Sequence, residues 1–136
     1  MRGAHLETRT FIAGADLSAS EGLVVAFNAT IGQVVLATDP DAAVMPVGIL
    51  LEGNTSGGEV TVAINGLVET GEPVSGAAIT HGTHRELGYN ASGKLVPNST
   101  AGDWVVALAE LRSNASGADE SIVVRVVTPY RYVADA

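Results

Sequence analysis

The sequence contains no cysteine, and other residue types are scarce as well. Without cysteine there are no disulfide bonds and no thiolate metal sites, so stability must come from apolar burial and from association. Aromatic residues make up only 4% of the chain although hydrophobic residues make up 46%, so Val, Ile, Leu and Ala must build the core. Only 7 of the 136 residues are Lys or Arg, and the net charge is −8. These scattered cations argue against nucleic-acid binding, which needs a basic face.

Long apolar runs and common enzyme motifs are also missing. No run approaches the length that spans a membrane, and residues 1–7 hold no apolar stretch long enough for a signal peptide. We therefore expect a soluble protein that is made in a cytoplasm and does not bind membranes. There is no Gly-x-Ser-x-Gly elbow and no thiol nucleophile. We predict that the protein is not an enzyme and has no catalytic residues and no cofactor.

Short apolar segments bounded by Gly, Asn, Asp or Pro are present instead, and they are typical of strands. Leu23–Phe27 and Val105–Ala109 are continuous apolar runs, which indicates that both of their faces are covered. We expect an all-β domain, and a small β-barrel and a β-sandwich fit the pattern equally well. The predicted strands are residues 8–13, 23–28, 33–38, 47–51, 60–65, 67–69, 94–96, 104–111 and 122–127.

Helix signals are confined to two short segments. Asp39 offers an N-cap with Pro40 at the first helical position, and Pro46 would end such a helix. Residues 16–22 could form another short turn that ends at Gly22. We therefore predict an all-β fold with minor short helices at these two places.

The second half of the chain echoes the first. Val47–Glu52 leads through an Asn-containing turn to a strand at 59–63, and Val105–Glu110 leads through a similar turn to a strand at 121–125. A turn precedes each of these hairpins, at 29–35 and at 91–96. Self-similarity at an offset of about 60 residues predicts two related β-units that share one core. The predicted halves are about 16–70 and 77–127, within a single β-domain of residues 11–127.

Both ends of the chain differ from this domain. Residues 1–10 are polar without a paired hydrophobic pattern of their own, and we predict a flexible N-terminal arm that can add onto a partner. Residues 128–136 form a predicted C-terminal tail. In this tail Tyr130, Arg131 and Tyr132 combine residue types that are enriched at interfaces. A tail that folds back onto its own domain explains the same residues equally well.

His81 and His84 are the only candidate metal ligands at short spacing, with Asp103 and the pair Asp39 and Asp41 as conceivable additions. A zinc site needs a third and a fourth ligand with supporting hydrogen bonds, and the sequence shows no such cluster. We interpret residues 80–84 as a polar loop and predict no metal site.

An ordered set of short elements from about Phe11 onward gives the chain a resemblance to a known family. The elements are residues 14–18, 21–25, 46–50, 58–63, 66–68, 78–82, 91–97 and 101–107. In this order and spacing the sequence resembles the bacteriophage capsid cement family, which consists of small head decoration proteins. One departure is that the polar segment 80–85 continues into Glu86-Leu87-Gly88, where such proteins more often run into an apolar strand.

The resemblance implies a structural virion protein that decorates and stabilises a phage capsid. Such a protein binds the outer surface of the major capsid protein lattice, usually as a homotrimer, after synthesis in the host cytoplasm. On this hypothesis the arm residues bind the capsid and the tail residues named above form a second interface. The capsid-binding residues of the arm are Arg2, His5, Leu6, Arg9 and Phe11.

Two other functions compete with this hypothesis. A carbohydrate- or receptor-binding β-module of a virion or cell surface would need an exposed aromatic platform, for which Trp104, Tyr89 and the tail tyrosines are available. A metal-dependent hydrolase would have to use His81 and His84. We expect Trp104 to be packed in the core, because it begins an apolar strand.

Overall fold

Val-rich segments separated by turn residues form strands along the whole chain, because β-branched side chains suit a pleated backbone and Gly and Asn suit the turns. The computed structural model describes residues 6–69, 73–110 and 113–133, and no helix occurs among them. This part of the chain therefore has no helix with the length and hydropathy of a membrane span. The nine strands are β1 (Glu7–Ala13), β2 (Val24–Phe27), β3 (Gln33–Leu36), β4 (Pro46–Glu52), β5 (Glu59–Val68), β6 (Glu86–Tyr89), β7 (Leu95–Pro97), β8 (Trp104–Ala109) and β9 (Val124–Arg131).

The strands form one sheet in the order β1-β3-β2-β4-β5-β9-β8-β6-β7, and an additional pairing joins β1 to β5. Strands β1, β3, β2, β4 and β5 thus close into a ring, in which only the pairing of β1 with β3 is parallel. The ring lacks the regular geometry of a barrel, since β1 meets β3 at only two residue pairs. The fold that the sequence leaves open between a barrel and a sandwich is a ring of five strands, with the other four strands attached to it as a further sheet.

The predicted pseudo-repeat is present in the topology. Strands β3-β2-β4-β5 have the same order and antiparallel pairing as β7-β6-β8-β9. We call them the first and the second unit, and count β1 with the first. The units meet where β5 pairs with β9, its equivalent, through the antiparallel pairs from Gly66↔Val126 to Val68↔Val124.

Matching glycines extend this repeat beyond the strands. A Cβ on Gly14 would lie 2.5 Å from Asn28 Nδ2, and a Cβ on Gly76 would lie 2.5 Å from Asn90 Nδ2. Asn28 and Asn90 each accept a bond from the backbone N–H two residues later, at 2.8 and 2.9 Å. In each unit the asparagine side chain of the first turn therefore lies against a glycine, at a position where any larger residue would clash with it.

The core has two clusters that lie on opposite faces of the same strands. Val25, Leu50 and Val62 belong to a cluster of the first unit. Val24 and Ile49, each adjacent in sequence to a residue of the first cluster, belong to a second cluster with residues of β6, β7, β8 and β9. Both faces of β2 and β4 are therefore buried, as the continuous apolar run in β2 predicts.

The two predicted short helices are turns. Ala42 N donates to Asp39 O at 3.2 Å, and Ser20 N donates to Leu17 O at 3.2 Å, but neither turn propagates. At 39–42 the backbone carbonyls accept hydrogen bonds from side chains of the second unit, which a continuing helix would need for itself. At 16–22 the side chain of Asp16 bonds to the nearby Ser18 N–H at 3.0 Å, a local alternative to helical bonding.

Strand β6 is not among the strands predicted from the sequence, because its alternation spans only four residues and includes a glycine, which is depleted in strands. Leu87 is nevertheless fully buried and Tyr89 is 2% exposed. A Cβ on Gly88 would lie 2.7 Å from Trp104 O, so this position needs glycine for the close approach of β8. The segment that departs from the family pattern is thus a core strand of the second unit.

The predicted domain boundaries at 10/11 and 127/128 fall inside strands. Residues 7–10 belong to β1, where Thr8 pairs with Ala63 and Arg9 pairs with Val62. Residues 128–131 belong to β9, where Tyr130 pairs with Val105. These residues are polar because they line a sheet edge, not because they lie outside the fold. The predicted site residues Arg2 and His5, and residues 134–136 of the predicted tail, lie outside the described residues.

Candidate interaction surfaces

The predicted tail residue Arg131 is engaged within its own molecule. Its guanidinium lies 3.9 Å from the ring centroid of Trp104, a cation–π contact. It also donates to the carbonyl oxygens of Gly102 at 2.8 Å, Ala42 at 3.0 Å and Asp41 at 3.2 Å. Trp104 Nε1 donates to the same Ala42 carbonyl at 2.8 Å. Arg131 and Trp104 therefore hold the loop that connects β3 to β4, residues 37–45.

Tyr89 adds a third side chain to this clamp. Its hydroxyl donates to Asp39 O at 2.8 Å. Burial, followed by the negative charge of Asp39, raises the pKa of Tyr89 to about 12. Arg131, Trp104 and Tyr89, which we call the clamp, all come from the second unit, whereas the loop that they hold comes from the first.

The tail tyrosines differ from each other. Tyr130 is 41% exposed, and its hydroxyl donates to Glu86 Oε2 at 2.6 Å. Burial and this hydrogen bond raise the pKa of Tyr130 to about 12. Tyr132 is half-buried, and its N–H donates to Asp103 O at 2.8 Å. Tyr130, Arg131 and Tyr132 thus all contact their own domain, while Tyr130 (41%) and Val133 (79%) keep exposed apolar surface.

The described arm residues divide between surface and core. Phe11 packs against the cluster of the first unit, and its ring meets Phe27 edge to face at a centroid distance of 5.5 Å. Leu6 is 38% exposed. Arg9 lies 3.7 Å from Glu7, an exposed ion pair of the kind that stabilises little. Leu6 and Arg9 are therefore accessible to a partner, while Phe11 is a packing residue.

The two histidines share one turn but do not converge on a site. His84 Nδ1 accepts a bond from Thr80 N at 3.0 Å, and His81 N donates to Asn114 Oδ1 at 2.9 Å. Within residues 6–69, 73–110 and 113–133, no three His, Asp or Glu side chains lie close enough together to hold a metal ion.

A polar cavity of about 290 Å³ lies beside this turn. Of its lining, the sequence argument singles out only His84 and Tyr132. Asn98 Oδ1 is buried without a hydrogen-bond partner among the described residues. The lining residues are Thr83, His84, Arg85, Glu86, Pro97, Asn98 and Tyr132.

Most of the exposed large apolar side chains of the described residues lie elsewhere, at one end of the first unit. Strand β2 ends there, β3 and β4 begin there, and β1 enters from there, as the pairs Ala26↔Pro46 and Ile12↔Gln33 show. We call this surface the apolar end. It consists of Leu6 (38% exposed), Phe27 (45%), Ile31 (99%), Val44 (61%) and Met45 (43%).

Only Leu6 among these residues is a site residue predicted from the sequence. Ile31 carries a signal that could have been used, since it is an isolated large apolar residue in a turn of Asn, Thr and Gly. A cavity of about 280 Å³ adjoins the apolar end, where Glu7 and Met45 face Pro129 of the second unit.

Comparison with known proteins relates the chain to solved structures at the level of the fold. No protein-family profile and no curated protein sequence matches the chain. Among solved structures, the chain is similar to the N-terminal base of the head fiber protein gp8.5 of bacteriophage phi29, with a TM-score of 0.56 and 16% sequence identity. The match covers 90% of this chain and 94% of the chain of that base. The chain shares the fold of this base over nearly its whole length.

Proposed function

We propose that the protein is a structural component of a phage virion that decorates and stabilises the capsid. It binds the outer surface of the major capsid protein lattice as a homotrimer. The observation that carries this proposal is the fold match to the base of a phage head fiber, which covers nine tenths of both chains. The resemblance of residues 11–107 to capsid cement proteins supports the same role from the sequence.

The physical properties of the chain suit this role. Side-chain hydrogen bonds order the turn between β2 and β3, and the clamp fixes the loop of residues 37–45. A rigid module of this kind loses little conformational entropy on binding. Many identical copies on a capsid also convert weak individual contacts into a strong network. We accordingly propose a role without catalysis, cofactor or nucleic acid.

Purified protein mixed with empty expanded heads of the phage that encodes it tests the proposal. We expect the protein to sediment with expanded heads, to saturate at a fixed number of copies, and to raise the temperature at which the heads break. Unexpanded heads provide the control for surface specificity. Failure to bind expanded heads at micromolar concentration would contradict the proposed function.

The oligomeric state needs a separate measurement. Light scattering coupled to size exclusion should give the mass of three 13.8 kDa chains. A mass of one chain that persists at high concentration, together with binding of single copies to heads, would remove the trimer and leave the capsid role standing.

A carbohydrate- or receptor-binding role is the second candidate, and one observation favours it. The 290 Å³ polar cavity places the half-buried Tyr132 beside Asn98 and His84, which offers hydrogen bonds and an aromatic surface. Two other proposed platforms are blocked, since Arg131 covers Trp104 and Tyr89 is 2% exposed. Binding on a glycan array that a Tyr132→Ala variant loses would favour this candidate.

A further inference from the structure

The apolar end is unusual because its side chains are held out into solvent by a rigid backbone. Ile31 is 99% exposed at the tip of the turn between β2 and β3. Within this turn Asn28 Nδ2 donates to Gln33 Oε1 at 2.9 Å, and Thr30 N donates to Asn28 Oδ1 at 2.8 Å. Gly32 supplies the left-handed backbone that the turn requires, with φ +82°. The turn therefore presents Ile31 in a fixed position.

Val44 and Met45 are fixed as well. They follow the part of the 37–45 loop whose carbonyls the clamp binds, and they lead directly into Pro46, which pairs with Ala26 in β2. Two ordered segments thus place large apolar side chains at the same end of β2. Preorganised apolar anchors of this kind are typical of binding surfaces, because little ordering remains to be done on association.

Acidic residues surround the apolar end. Asp39 and Asp41 precede Val44 in the same loop, and Glu7 lines the adjoining cavity with Met45. Asp39 and Asp41 are close enough that the hydrogen bond and the negative charge of Asp39 raise the pKa of Asp41, with a smaller contribution from Asp103. Cationic side chains of a partner would relieve this repulsion.

A second copy of the chain offers few such cations in its described residues. Lys94 pairs with Asp119, Arg125 with Glu110 and Arg9 with Glu7, and Arg131 is part of the clamp. Among the described cations only Arg85 is exposed outside these contacts, and a single arginine cannot match three carboxylates. Two apolar ends brought together would also oppose their acidic rims. The charge pattern therefore favours a different molecule.

We propose that the apolar end docks into an apolar socket rimmed by Lys and Arg side chains on the major capsid protein. This inference rests on the proposed function and specifies the surface that carries it. Ile31 is the central anchor, Val44 and Met45 flank it, and the carboxylates of Glu7, Asp39 and Asp41 meet the cationic rim.

An Ile31→Asp variant tests the anchor by measurement of its binding to expanded heads. We expect its apparent affinity to fall at least about tenfold, which is the loss typical of a central anchor. Because Ile31 is 99% exposed, the thermal unfolding midpoint should not change. Ser92→Asp is the matched control, since Ser92 is exposed in the equivalent turn of the second unit, beside Gly93, which packs near the opposite end of β2.

The outcomes separate this inference from the proposed function. Wild-type protein that binds heads together with an Ile31→Asp variant that binds equally well would overturn the docking surface and leave the capsid role. A variant that falls from trimer to monomer would show that the apolar end joins copies of the chain, which also overturns the inference. Absence of binding by the wild type would overturn both.

The acidic rim has its own test. A double variant Asp39→Asn and Asp41→Asn should bind heads several-fold more weakly than the wild type at low salt and should lose part of the salt dependence of binding. Affinity of the wild type that does not change between low and high salt would overturn the cationic character of the socket.

Discussion

The two units have the same strand order and antiparallel pairing, but they differ in how the segment that precedes each unit pairs with its strands. In the first unit β1 pairs with β5 at six positions, from Glu7↔Asn65 to Ile12↔Glu59. In the second unit the equivalent contacts among residues 73–110 and 113–133 are the single bridges Val74↔Ser121 and Ser75↔Leu95. The same strand order thus forms a ring that β1 closes in the first unit. In the second unit the corresponding described residues form only isolated bridges.

The equivalent turns show the same contrast. A Cβ on Gly93 in the second unit would lie 2.8 Å from Leu36 Cδ1 and 3.2 Å from Ala37 O, so this turn is packed against the first unit. Gly32 has nothing within 4 Å of such a Cβ, and its turn carries the exposed Ile31. In the second unit this turn packs against the first unit, whereas the equivalent turn of the first unit is exposed to solvent. The exposed turn belongs to the docking surface proposed above, whereas the equivalent turn of the second unit contributes to packing.

A cavity-creating substitution in the second unit tests how far the stability of each unit depends on the other. Leu87→Ala removes a fully buried side chain from the cluster that Val24 and Ile49 of the first unit also form. We expect the free energy of unfolding to fall by about 2–5 kcal/mol. Because the cluster spans both units, chemical denaturation should still follow a single transition.

Leu6→Ala, at an exposed position, is the control for this variant and should change stability little. Two separated transitions in the Leu87→Ala variant, one for each unit, would contradict the shared core and would make the comparison one of independent domains.

Truncation of residues 1–10 tests the closing strand itself. It removes the part of β1 that pairs Thr8, Arg9 and Thr10 with β5, and the second unit shows that the strand plan persists without such a long closing strand. We expect the truncated chain to fold, with stability lower by about 2–3 kcal/mol at about 1 kcal/mol for each lost hydrogen bond. A chain truncated by residues 1–5 keeps β1 and is the control; equal stability of the two truncations would contradict the role of the closing strand.

The sequence predicts the repetition better than it predicts the asymmetry. Val47–Glu52 and Val105–Glu110 match as patterns because both strands need the same apolar faces, and both are strands in the structure. The closing role of residues 7–10 is not visible, because an edge strand with an exposed face is polar and resembles an arm.

The sequence also predicts the candidate surfaces only in part. Arg131 stands out in the sequence as a candidate interface residue, but it donates hydrogen bonds to a loop about 90 residues earlier in the chain. No local sequence pattern predicts a contact between residues so far apart. Ile31 could have been noticed as an apolar residue in a polar turn, whereas its neighbourhood with Val44 and Met45 requires the strand order.

Arg131→Ala tests whether the clamp couples the units. The substitution removes three hydrogen bonds to backbone carbonyls and the contact with Trp104. We expect the free energy of unfolding to fall by about 1–2 kcal/mol and hydrogen exchange to increase in residues 39–45. Arg131→Lys keeps the charge without the forked donor set and should recover only part of the loss. Unchanged exchange in the loop would contradict the clamp.

Tyr89 provides the smallest and most specific test of the same coupling. Its pKa is raised to about 12 in the folded protein, against about 10 in an unfolded chain. The stabilisation linked to its protonated form is therefore complete below pH 10 and is lost as the pH rises from 10 through 12. Tyr89→Phe should cost about 1 kcal/mol at neutral pH, because the hydrogen bond to Asp39 O is lost.

The pH dependence distinguishes this hydrogen-bonded role from simple packing. The unfolding midpoint of the Tyr89→Phe variant should fall less steeply than that of the wild type as the pH rises from about 10 towards 12, since Phe has no proton to lose. Tyr130→Phe is the matched control: Tyr130 is 41% exposed and bonds to Glu86 within its own unit, so water screens its contribution. Equal slopes for wild type and Tyr89→Phe would show that Tyr89 joins the units through apolar contact alone, and the loop would then depend on Arg131 and Trp104 for its position.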